Sequence, residues 1–509
     1  MHCILLKRSQ AQQRENCAAR LLRRGKWCYD CCQYVLRTIC FVPDGTEPPI
    51  AAGTGRIANM PEFTRRNWLS MAAMTGLAMT NQTDVGARTP DSRLDSSSRG
   101  AGPDTHYSCN VLKFGADRSG RRDATAAIQK ALDATHRGGG GMVHIPAGRY
   151  VIAGSLHIPP CTTLEGVFRG PTSHIGLGKA SRNTAKAAGS VLLATGGRGN
   201  QEAVPLISLS ENSAVLGLCI FHPHQAPDAT PVAYPWAISM KGNNCTVENV
   251  ELLNSWCGIQ AVQAHRHLIR NVTGQPLKTG IFVDEVYDIG RIENVHFNPW
   301  WSASSPVLEF IYRHGESFVF GRSDWQYVLN TFSFGYHTGY RFIEGKTGSC
   351  NGNFLGIGAD ASWHACVVEQ SQGPGILITN GEFVSFNYMK LPGPIEPVQV
   401  VVKPGNQGPV RLVNCSFWGP CSQIAQMESH STIGFGDCTF CQWDPRFAAI
   451  KATAGNVCVT GCEFRQSSPQ IELGTHVRQA VITGNMAAAS WQIRNGIKKR
   501  AKIGLNSAL

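Results

Sequence analysis

Residues 122–152 read "RDATAAIQKALDATHRGGGGMVHIPAGRYVI", a helix-forming stretch that four glycines separate from a strand-forming one. Asp123 is a good N-cap residue, and Ile128 and Leu132 recur at helical spacing. Residues 138–141 end the helix, because glycine enters left-handed backbone conformations at little cost. The stretch "MVHI" then alternates as a half-buried strand, and "PAG" turns into "RYVI". The pattern predicts one short amphipathic helix that covers the open end of an elongated β structure.

Short motifs recur at a nearly constant spacing along the rest of the chain, as in repeat architectures. The first row lies in "CTVENVEL", "HLIRNVTG" and "GRIENVHF", at the same place in each motif: Asn249, Asn271 and Asn294. Two further rows repeat with almost the same step nearer the C-terminus: Cys415, Cys438 and Cys462, and Phe417, Phe440 and Phe464. This period predicts an all-β fold, a single-stranded right-handed parallel β-helix with an N-terminal capping α-helix, in which like residues stack on successive coils.

The stacking assigns a place to each row. Asparagine amides at a coil corner can bond to their neighbours, while phenylalanine and cysteine in register fill the interior. We therefore predict that Cys415, Cys438 and Cys462 are core residues rather than metal ligands or redox thiols. The capping helix would cover the first coil, whose unpaired edge otherwise invites aggregation.

The first hundred residues lack the repeat and divide into three segments. Residues 1–59 carry six cysteines without zinc-finger spacing, so we interpret them as an upstream extension, with translation starting at Met60. Residues 60–80 join an arginine pair to a short apolar run, which resembles a twin-arginine export signal. Residues 81–105 are rich in Ser, Asp, Gly and Arg, and predict a disordered linker.

These segments predict export by the twin-arginine route to the periplasm or the exterior, with no membrane span because the apolar run is too short. The β-helix domain is expected at residues 106–490, followed by a basic tail at residues 491–509. The net charge of +12 concentrates outside the domain, which carries only about two excess positive charges. A nucleic-acid-binding domain needs a basic stripe of its own, so nucleic acid is not expected as a partner.

The segment "NVLKFGADRSGRRDATAAIQKALDA", the glycine run and "VHIPAGRYVI" resemble the opening of the pectate-lyase-like proteins. That group includes rhamnogalacturonase, relatives of glycoside hydrolase family 28 and epimerase-type members. The resemblance implies a right-handed β-helix that acts on a polysaccharide, and the coil repeats extend it to about residue 490. The chain lacks the Asn-Thr-Asp, Asp-Asp, His-Gly and Arg-Ile-Lys motifs of family 28 and the aspartate cluster of calcium-dependent pectate lyases. No catalytic residue of these enzymes is therefore carried over.

Aromatic and acidic residues follow the strands of successive coils between residues 298 and 389. The side chains expected to bind substrate are Trp300, Trp301, Trp325, Trp363, His364 and Tyr388. Sugar rings stack their C–H faces on aromatic rings, and glycoside hydrolysis needs two carboxyl groups that flank the bond. Asp324 and Asp360 supply that pair if their loops converge. The alternative is that each aspartate caps a turn.

A second acidic group lies in "GIFVDEVYDIG", which contains Asp284, Glu285 and Asp288 close together. We expect Asp284 to point outward at the edge of a coil, and we count it with Asp288 among the catalytic candidates. The alternative is a solvated turn. Four arginines surround these strands and either bind a uronate carboxylate, act as a lyase base or pair with local acids: Arg291, Arg313, Arg322 and Arg341.

Together these features predict a polysaccharide-active enzyme, a glycoside hydrolase that cleaves a plant- or algal-type polysaccharide in an axial groove. The alternatives are a lyase or epimerase on a uronate polymer, and a non-catalytic glycan-binding or structural β-helix of the tailspike or adhesin kind. Paired acids favour the hydrolase, and a groove without an acid pair favours the binder. We expect no cofactor or metal, apart from Ca²⁺ if the protein is a lyase. The sequence leaves a monomer and a homotrimer open.

Overall fold

A computed structural model describes residues 108–169, 189–393 and 396–508 of the protein. Strands pair in parallel with their counterparts in the coils before and after, as Val247 does with Ile269 and Ile269 with Ile292. The expected parallel β-helix with an N-terminal helix is therefore confirmed. The segments predicted at residues 1–59, 60–80 and 81–105 lie outside the described residues. Within the described part of the chain, no helix is long and apolar enough to cross a membrane.

The N-terminal half of the coil contains two helices and nineteen of the strands within the described ranges. The helices are α1 (Thr125–Arg137) and α2 (Ser305–His314). The strands are β1 (Ser108–Asn110), β2 (Ser119–Asp123), β3 (Gly141–His144), β4 (Gly148–Ile152), β5 (Leu156–Ile158), β6 (Thr162–Glu165), β7 (Ser190–Ala194), β8 (Ile207–Leu209), β9 (Ala214–Leu216), β10 (Leu218–Phe221), β11 (Trp236–Met240), β12 (Thr246–Leu252), β13 (Cys257–Val262), β14 (Leu268–Gly274), β15 (Thr279–Asp284), β16 (Arg291–Phe297), β17 (Glu316–Phe320), β18 (Ser323–Phe334) and β19 (Thr338–Phe342).

The C-terminal half continues the same winding. Its strands are β20 (Cys350–Leu355), β21 (Gly358–Ser362), β22 (His364–Val368), β23 (Ile376–Thr379), β24 (Glu382–Ser385), β25 (Val398–Val402), β26 (Val410–Val413), β27 (Ser416–Trp418), β28 (Gln423–Met427), β29 (Thr432–Gly436), β30 (Thr439–Phe440), β31 (Ile450–Thr460), β32 (Glu463–Phe464), β33 (Ile471–Thr483), β34 (Met486–Ala487), β35 (Ile493–Asn495), β36 (Ala501–Gly504) and β37 (Ser507–Ala508).

Helix α1 follows the predicted pattern except at its first turn. Ile128 and Leu132 are fully buried against the first coil, and the helix ends at Gly138. The N-cap is Ala124 rather than the predicted Asp123. Asp123 ends strand β2, and its carboxylate accepts from the N–H of Thr125 at 3.0 Å and from that of Ala153 on the next coil at 3.2 Å. The side chain therefore joins the helix to the coil that the helix covers.

The strands stack in three faces. The first face contains β13, β15, β17, β19, β22, β25 and β28. The second face contains the first parts of β12, β14 and β16, the middle of β18, and then β20, β23, β26 and β29. The third face contains the last parts of β12, β14, β16 and β18, and then β21, β24, β27, β30 and β32. A side chain on the third face is thus separated by a coil corner from one on the second.

The corner between the second and third faces is built from the predicted asparagines. Asn249, Asn271 and Asn294 have φ of 54°, 54° and 53°, in the left-handed region that asparagine tolerates. The amide of Asn271 donates to Asn249 Oδ1 at 3.2 Å, and that of Asn294 donates to Asn271 Oδ1 at 2.8 Å. The expected amide ladder is confirmed.

The interior rows also match the sequence pattern. The ring centroids of Phe417 and Phe440 are 5.4 Å apart, those of Phe440 and Phe464 are 4.7 Å apart, and all three side chains are fully buried. Cys415, Cys438 and Cys462 are buried in the same interior with free thiols. These cysteines pack as core residues, as predicted.

The C-terminal segment differs from the expected basic tail. Residues 493–508 form β35, β36 and β37, which pair with β33 and β34, so the winding continues through Ala508. Ile503 lies opposite Ile482 of the preceding coil. The basic residues 498–500 occupy a turn, where their side chains reach solvent. The short stretch "AKIG" therefore forms a strand despite its charge.

Candidate active site

Two rows of side chains point outward from the third face at the centre of the molecule. The corner-side row runs through β18, β21, β24 and β27, and contains Phe332, Gly358, Glu382 and Ser416. The loop-side row lies two residues further along each strand, and contains Phe334, Asp360, Val384 and Trp418. Alternate residues, such as Phe383 and Phe417, point into the core.

A pocket of about 440 Å³ opens where one coil lacks two side chains. Gly358 contributes no side chain to the corner-side row, and the ring of Phe332 lies beside it, with Cδ2 3.0 Å from the place that a Cβ would occupy. Gly356 leaves a gap in the corner itself, between Asn330 and Asn380, both of which have positive φ. The pocket is lined by Asn330, Thr331, Phe332, Gly356, Ile357, Gly358, Asp360, Asn380, Glu382, Val384 and Trp418.

The pocket holds two carboxyl groups in different surroundings. Burial raises the pKa of Asp360, and the nearby carboxylate of Glu382 raises it further. Glu382 is exposed, and its Oε1 accepts a hydrogen bond from Nε1 of Trp418 at 2.9 Å. Strand spacing and rise place the two Cα atoms about 8 Å apart, since Glu382 lies opposite Gly358, two residues before Asp360. The two carboxyl groups therefore differ in exposure, and the pKa of the more buried one, Asp360, is raised.

The loop after β24 forms one wall of the site. Tyr388 lies edge-on to Phe334, with ring centroids 5.1 Å apart. Burial raises the pKa of Tyr388, and the neighbouring Asp360 raises it further. Helix α2 supports this wall, because the hydroxyl of Tyr312 donates to the backbone carbonyl of Phe386 at 2.8 Å.

The pocket is the middle of a longer groove on the third face. Towards the N-terminus, the ring of His296 lies 5.0 Å from that of Phe332 and 4.7 Å from that of Trp300. Towards the C-terminus, a second cavity of about 670 Å³ begins at Trp418 and reaches Arg465. From β16 to β32 the groove crosses six strand spacings, about 29 Å.

Three of the predicted site residues lie in this groove. Asp360 and Tyr388 flank the pocket, and Trp300 lies at its N-terminal side beside His296. Asp324 and Trp325 do not join them. Strand β18 turns two corners between Asp324 and the third face, at Trp325 and at Asn330, where φ is 55° and 51°. The predicted pair of Asp324 and Asp360 is therefore not brought together, because the two side chains lie on different sides of the coil.

The other predicted aromatic residues pack against the protein. Trp301 is 1% exposed and cannot offer a face to a sugar. Trp363 stacks on Tyr312 of α2, with ring centroids 5.7 Å apart. Nδ1 of His364 lies 3.0 Å from the carbonyl oxygen of Val398, and burial lowers the pKa of this histidine. These residues support the wall around α2 rather than the pocket.

The acidic group at residues 284–288 is occupied by structural contacts. Asp284 is buried rather than outward-facing, and it accepts from the N–H of Arg322 at 2.6 Å and from that of Glu285 at 2.8 Å. Asp288 pairs with Arg266 at 2.5 Å across neighbouring coils. Arg322 itself pairs with Asp324 at 2.8 Å. These carboxylates hold coil corners, which is the turn role weighed against catalysis.

The sequence reading missed Glu382, Trp418 and the two pocket glycines. The signal lies in "LGIGADAS", where glycine replaces the corner asparagine that precedes and follows it by one coil, Asn330 and Asn380. Gly356 interrupts the asparagine ladder and Gly358 interrupts the corner-side row, and two such glycines on one coil indicate an opening in the surface. Within the described residues, no group of three or more His, Cys, Asp or Glu side chains is placed to hold a metal ion.

A family model described as "Rhamnogalacturonase A/epimerase, pectate lyase-like" matches residues 108–205. The resemblance inferred from the opening stretch of the β-helix is thereby confirmed. A solved structure of the same fold is the N-terminal fragment of bacteriophage phi29 gene product 12, which is 13% identical, with a TM-score of 0.53. The similarity covers 79% of this chain and 70% of that fragment.

Two curated relatives come from Azotobacter vinelandii. Alginate lyase 7 is 51% identical over 45 residues, which is 9% of this chain and 5% of that protein. Mannuronan C5-epimerase AlgE3 is 56% identical over 45 residues, which is 9% of this chain and 2% of that protein. The matches thus span only a small part of either relative.

Proposed function

We propose that this protein is a polysaccharide-active enzyme, a glycoside hydrolase that binds its substrate along the groove of the third face. The observation that carries the proposal is the pair Asp360 and Glu382 in one pocket, where burial and the neighbouring carboxylate raise the pKa of Asp360, while Glu382 is exposed and bonded to Trp418. Two titratable groups in different surroundings are typical of acid and base roles in catalysis. Trp418 borders both carboxyl groups and the next cavity along the groove.

Each carboxyl group has a defined role in this reaction. Asp360, whose pKa is raised by burial, is the general acid that donates a proton to the glycosidic oxygen as that bond breaks. Glu382, the second carboxyl group, either accepts a proton from the attacking water or forms a covalent glycosyl intermediate that water then releases. The reaction needs carboxyl groups and water and no cofactor. The anomeric configuration of the first product distinguishes the two roles of Glu382.

The groove favours an uncharged sugar at the cleavage point. Among the described residues that line the pocket, none is Lys or Arg, and two are acidic. A uronate carboxylate there would face Asp360 and Glu382 without a cation to offset the repulsion. Trp300, Phe332 and Trp418 offer apolar ring surface along the groove, which suits the C–H faces of pyranose rings.

The test is turnover on a panel of soluble polysaccharides, with new reducing ends as the readout. Neutral polymers are a galactomannan, a xyloglucan and a β-glucan, and uronate polymers are polygalacturonate and alginate. On the neutral polymer that the wild type cleaves, Asp360→Asn and Glu382→Gln should each lower kcat by about 10²-fold or more. Full activity of both variants would contradict the proposal. Leu377→Ala, an exposed residue of the second face, is the control.

A uronate lyase or epimerase is the second candidate, and the short matches to an alginate lyase and to a mannuronan epimerase support it. Such reactions remove the proton next to the uronate carboxyl group, which requires a neutral base. His222 has that form, because burial lowers its pKa to about 3. Its ring lies 4.6 Å from that of Tyr234, beside a cavity of about 180 Å³. Unsaturated uronate ends from alginate, unaffected by Asp360→Asn, would favour this candidate.

A further inference from the structure

A second surface, at the corner between the first and second faces, carries two exposed aromatic residues. This corner begins with Asn212 and Asn244, which adopt φ of 54° and 59° and are joined by a 2.7 Å hydrogen bond between their side-chain amides. Three coils after Asn244, the same position holds Trp325, with φ of 55°. The two coils between them hold Arg266 and Ile289 there, with φ of 56° and 35°, so after Asn244 the corner carries residue types that tolerate the left-handed region less well.

The position of Trp325 brings no packing gain. The side chain is 63% exposed, so burial does not offset the cost of its left-handed backbone. The backbone is held there by a hydrogen bond from its N–H to Oδ1 of Asn351 at 2.8 Å. Tyr287, on the preceding coil, is 48% exposed as well. A strained, exposed aromatic residue whose backbone is fixed from below points to a ligand outside the protein.

A hydrogen-bond network beneath the surface connects the two aromatic residues. The amide of Asn351 donates to Gln372 Oε1 at 2.7 Å, and that of Gln372 donates to Asp324 Oδ1 at 2.6 Å. Asp324 pairs with Arg322 at 2.8 Å. The guanidinium of Arg322 lies over the ring of Tyr287, 5.3 Å from its centroid. The network fixes the backbone of Trp325 and holds Arg322 against the ring of Tyr287 before any ligand arrives, which lowers the entropic cost of binding.

We infer that Trp325 and Tyr287 form a second glycan-binding site, separate from the groove and without catalytic activity. The rings bind the C–H faces of pyranose units, and the polar groups of Arg322, Asp324 and Gln372 lie within reach of their hydroxyl groups. The ligand is an uncharged polysaccharide, because Asp324 already neutralises Arg322. Asp324 is a positioning residue here, which accounts for its distance from the groove.

The surroundings of this site favour a sugar over a protein partner. The neighbouring corner residues are polar and paired, Glu285 with Gln263 and Asp288 with Arg266. A protein interface would require a contiguous apolar patch, whereas two isolated rings among hydrogen-bonding side chains suit a sugar chain. The polysaccharide is the substrate proposed above, so the identity of the ligand rests on the proposed function. The site itself rests on its own residues.

The experiment uses the full chain in native gels that contain the neutral polysaccharide cleaved by the wild type. All variants carry Glu382→Gln, so that the polymer stays intact. Trp325→Asn and Tyr287→Ala should each reduce retardation of the protein roughly 3- to 10-fold. Trp325→Asn should also leave the melting temperature unchanged or higher, because it restores the residue type that Asn212 and Asn244 provide. Leu377→Ala should change neither quantity.

Asp324→Asn tests the network separately. It should weaken retardation because Arg322 loses its partner, while cleavage of short oligosaccharides by the otherwise wild-type chain stays unchanged. Unchanged retardation of both Trp325→Asn and Tyr287→Ala would overturn the site even if groove variants abolish cleavage. Cleavage that survives Asp360→Asn and Glu382→Gln, together with retardation lost in Trp325→Asn, would overturn the proposed catalytic pair and leave this site standing. If the Glu382→Gln protein is retarded by none of the five polymers, the second glycan-binding site is overturned.

Discussion

Asp360 shows how surroundings, more than residue type, set the chemistry of a side chain. In the sequence, Asp324 and Asp360 were the first catalytic candidates and Asp284 belonged to the second group. Asp284 accepts two backbone N–H bonds, and Asp324 pairs with an arginine, so both side chains are engaged in contacts within the protein. Asp360 is partly buried beside Glu382, and its pKa rises. Desolvation beside a like charge raises the pKa of a carboxyl group, so the group can donate a proton. Hydrogen-bond donors and cations next to a carboxyl group favour its charged form instead.

The raised pKa of Asp360 predicts a pH-dependent stability difference. An acid whose pKa is higher in the folded state binds its proton more tightly there. The stability that the protonated carboxyl group contributes is fully present below the unfolded pKa near 4 and is lost as pH rises through the folded pKa. The uncharged amide of Asp360→Asn does not titrate. This variant should therefore gain melting temperature relative to the wild type between pH 4 and pH 7.

Thermal unfolding of both proteins across this pH range provides the measurement. Asp444→Asn is a control with the opposite shift, because the guanidinium of Arg446 lowers the pKa of Asp444; its stability difference from the wild type should change below pH 4 and stay constant between pH 4 and pH 7. A loss of stability in Asp360→Asn that grows with pH would mean that the carboxylate makes a structural bond.

At the level of the element, one coil corner determines whether the groove is open. The corner between the second and third faces places Asn330, Gly356, Asn380 and Asn414 on successive coils. The amide of Asn414 donates to Asn380 Oδ1 at 2.8 Å, so the ladder resumes immediately after the glycine. The gap is confined to the coil that carries Asp360. The change from asparagine to glycine at this one corner therefore coincides with the position of the pocket.

Gly356→Asn should close the pocket. Asparagine tolerates the φ of 63° at this corner. A Cβ there would lie 2.9 Å from Oδ1 of Asn330, so the flexible amide of Asn330 must shift slightly before the new amide can extend the ladder. We expect kcat/KM to fall about tenfold or more as the substrate is displaced. The free energy of unfolding should stay equal or rise by about 1 kcal/mol, from an added hydrogen bond and a stiffer unfolded chain.

Initial rates and urea unfolding check both parts of this prediction. Gly484→Asn is the matched control, since it lies at the same corner, with φ of 69°, but beyond the groove. It should change stability in the same direction and leave activity intact. Full activity of Gly356→Asn would show that substrate does not enter the pocket.

Over the whole molecule, the basic residues at the two ends of the chain fall in different parts of the protein. The residues of the described coil extend from 108 to 508, so the basic C-terminal stretch belongs to the fold. The basic residues before position 60 lie outside the described ranges. We propose that residues 60–80 direct export and are removed, with residues 1–59 absent from the natural product.

Mature protein from native expression should then begin between about residues 80 and 105, as expected for a cleaved export signal of ordinary length. N-terminal sequencing of protein from the periplasm or the medium checks this. Replacing Arg65 and Arg66 with lysine should leave the protein in the cytoplasm with the signal attached. Recovery of exported protein with residues 1–59 intact would contradict both the start at Met60 and the export signal.

The sequence by itself determined the winding of this protein. The nearly constant period of its motifs forces identical positions of successive coils on top of one another, so Asn271 and Phe440 could be placed at a corner and in the core without coordinates. The stacking of coils also predicted that a helix covers the first coil at the N-terminal end. These predictions depend only on spacing along the chain, because each coil pairs with its immediate neighbour.

The tertiary structure alone decided the candidate site. Asp324 and Asp360 lie on different sides of the coil, because β18 turns two corners between them. Glu382 and Trp418 are separated by as many residues as Asp324 and Asp360 are, yet they share a hydrogen bond. They lie on neighbouring coils of the third face, because the extra residues between them form the long loop after β24. Where coils differ in length, two pairs of residues with the same separation in sequence need not lie in the same relative positions around the axis of the β-helix. The face on which a side chain emerges then depends on how each corner and loop closes.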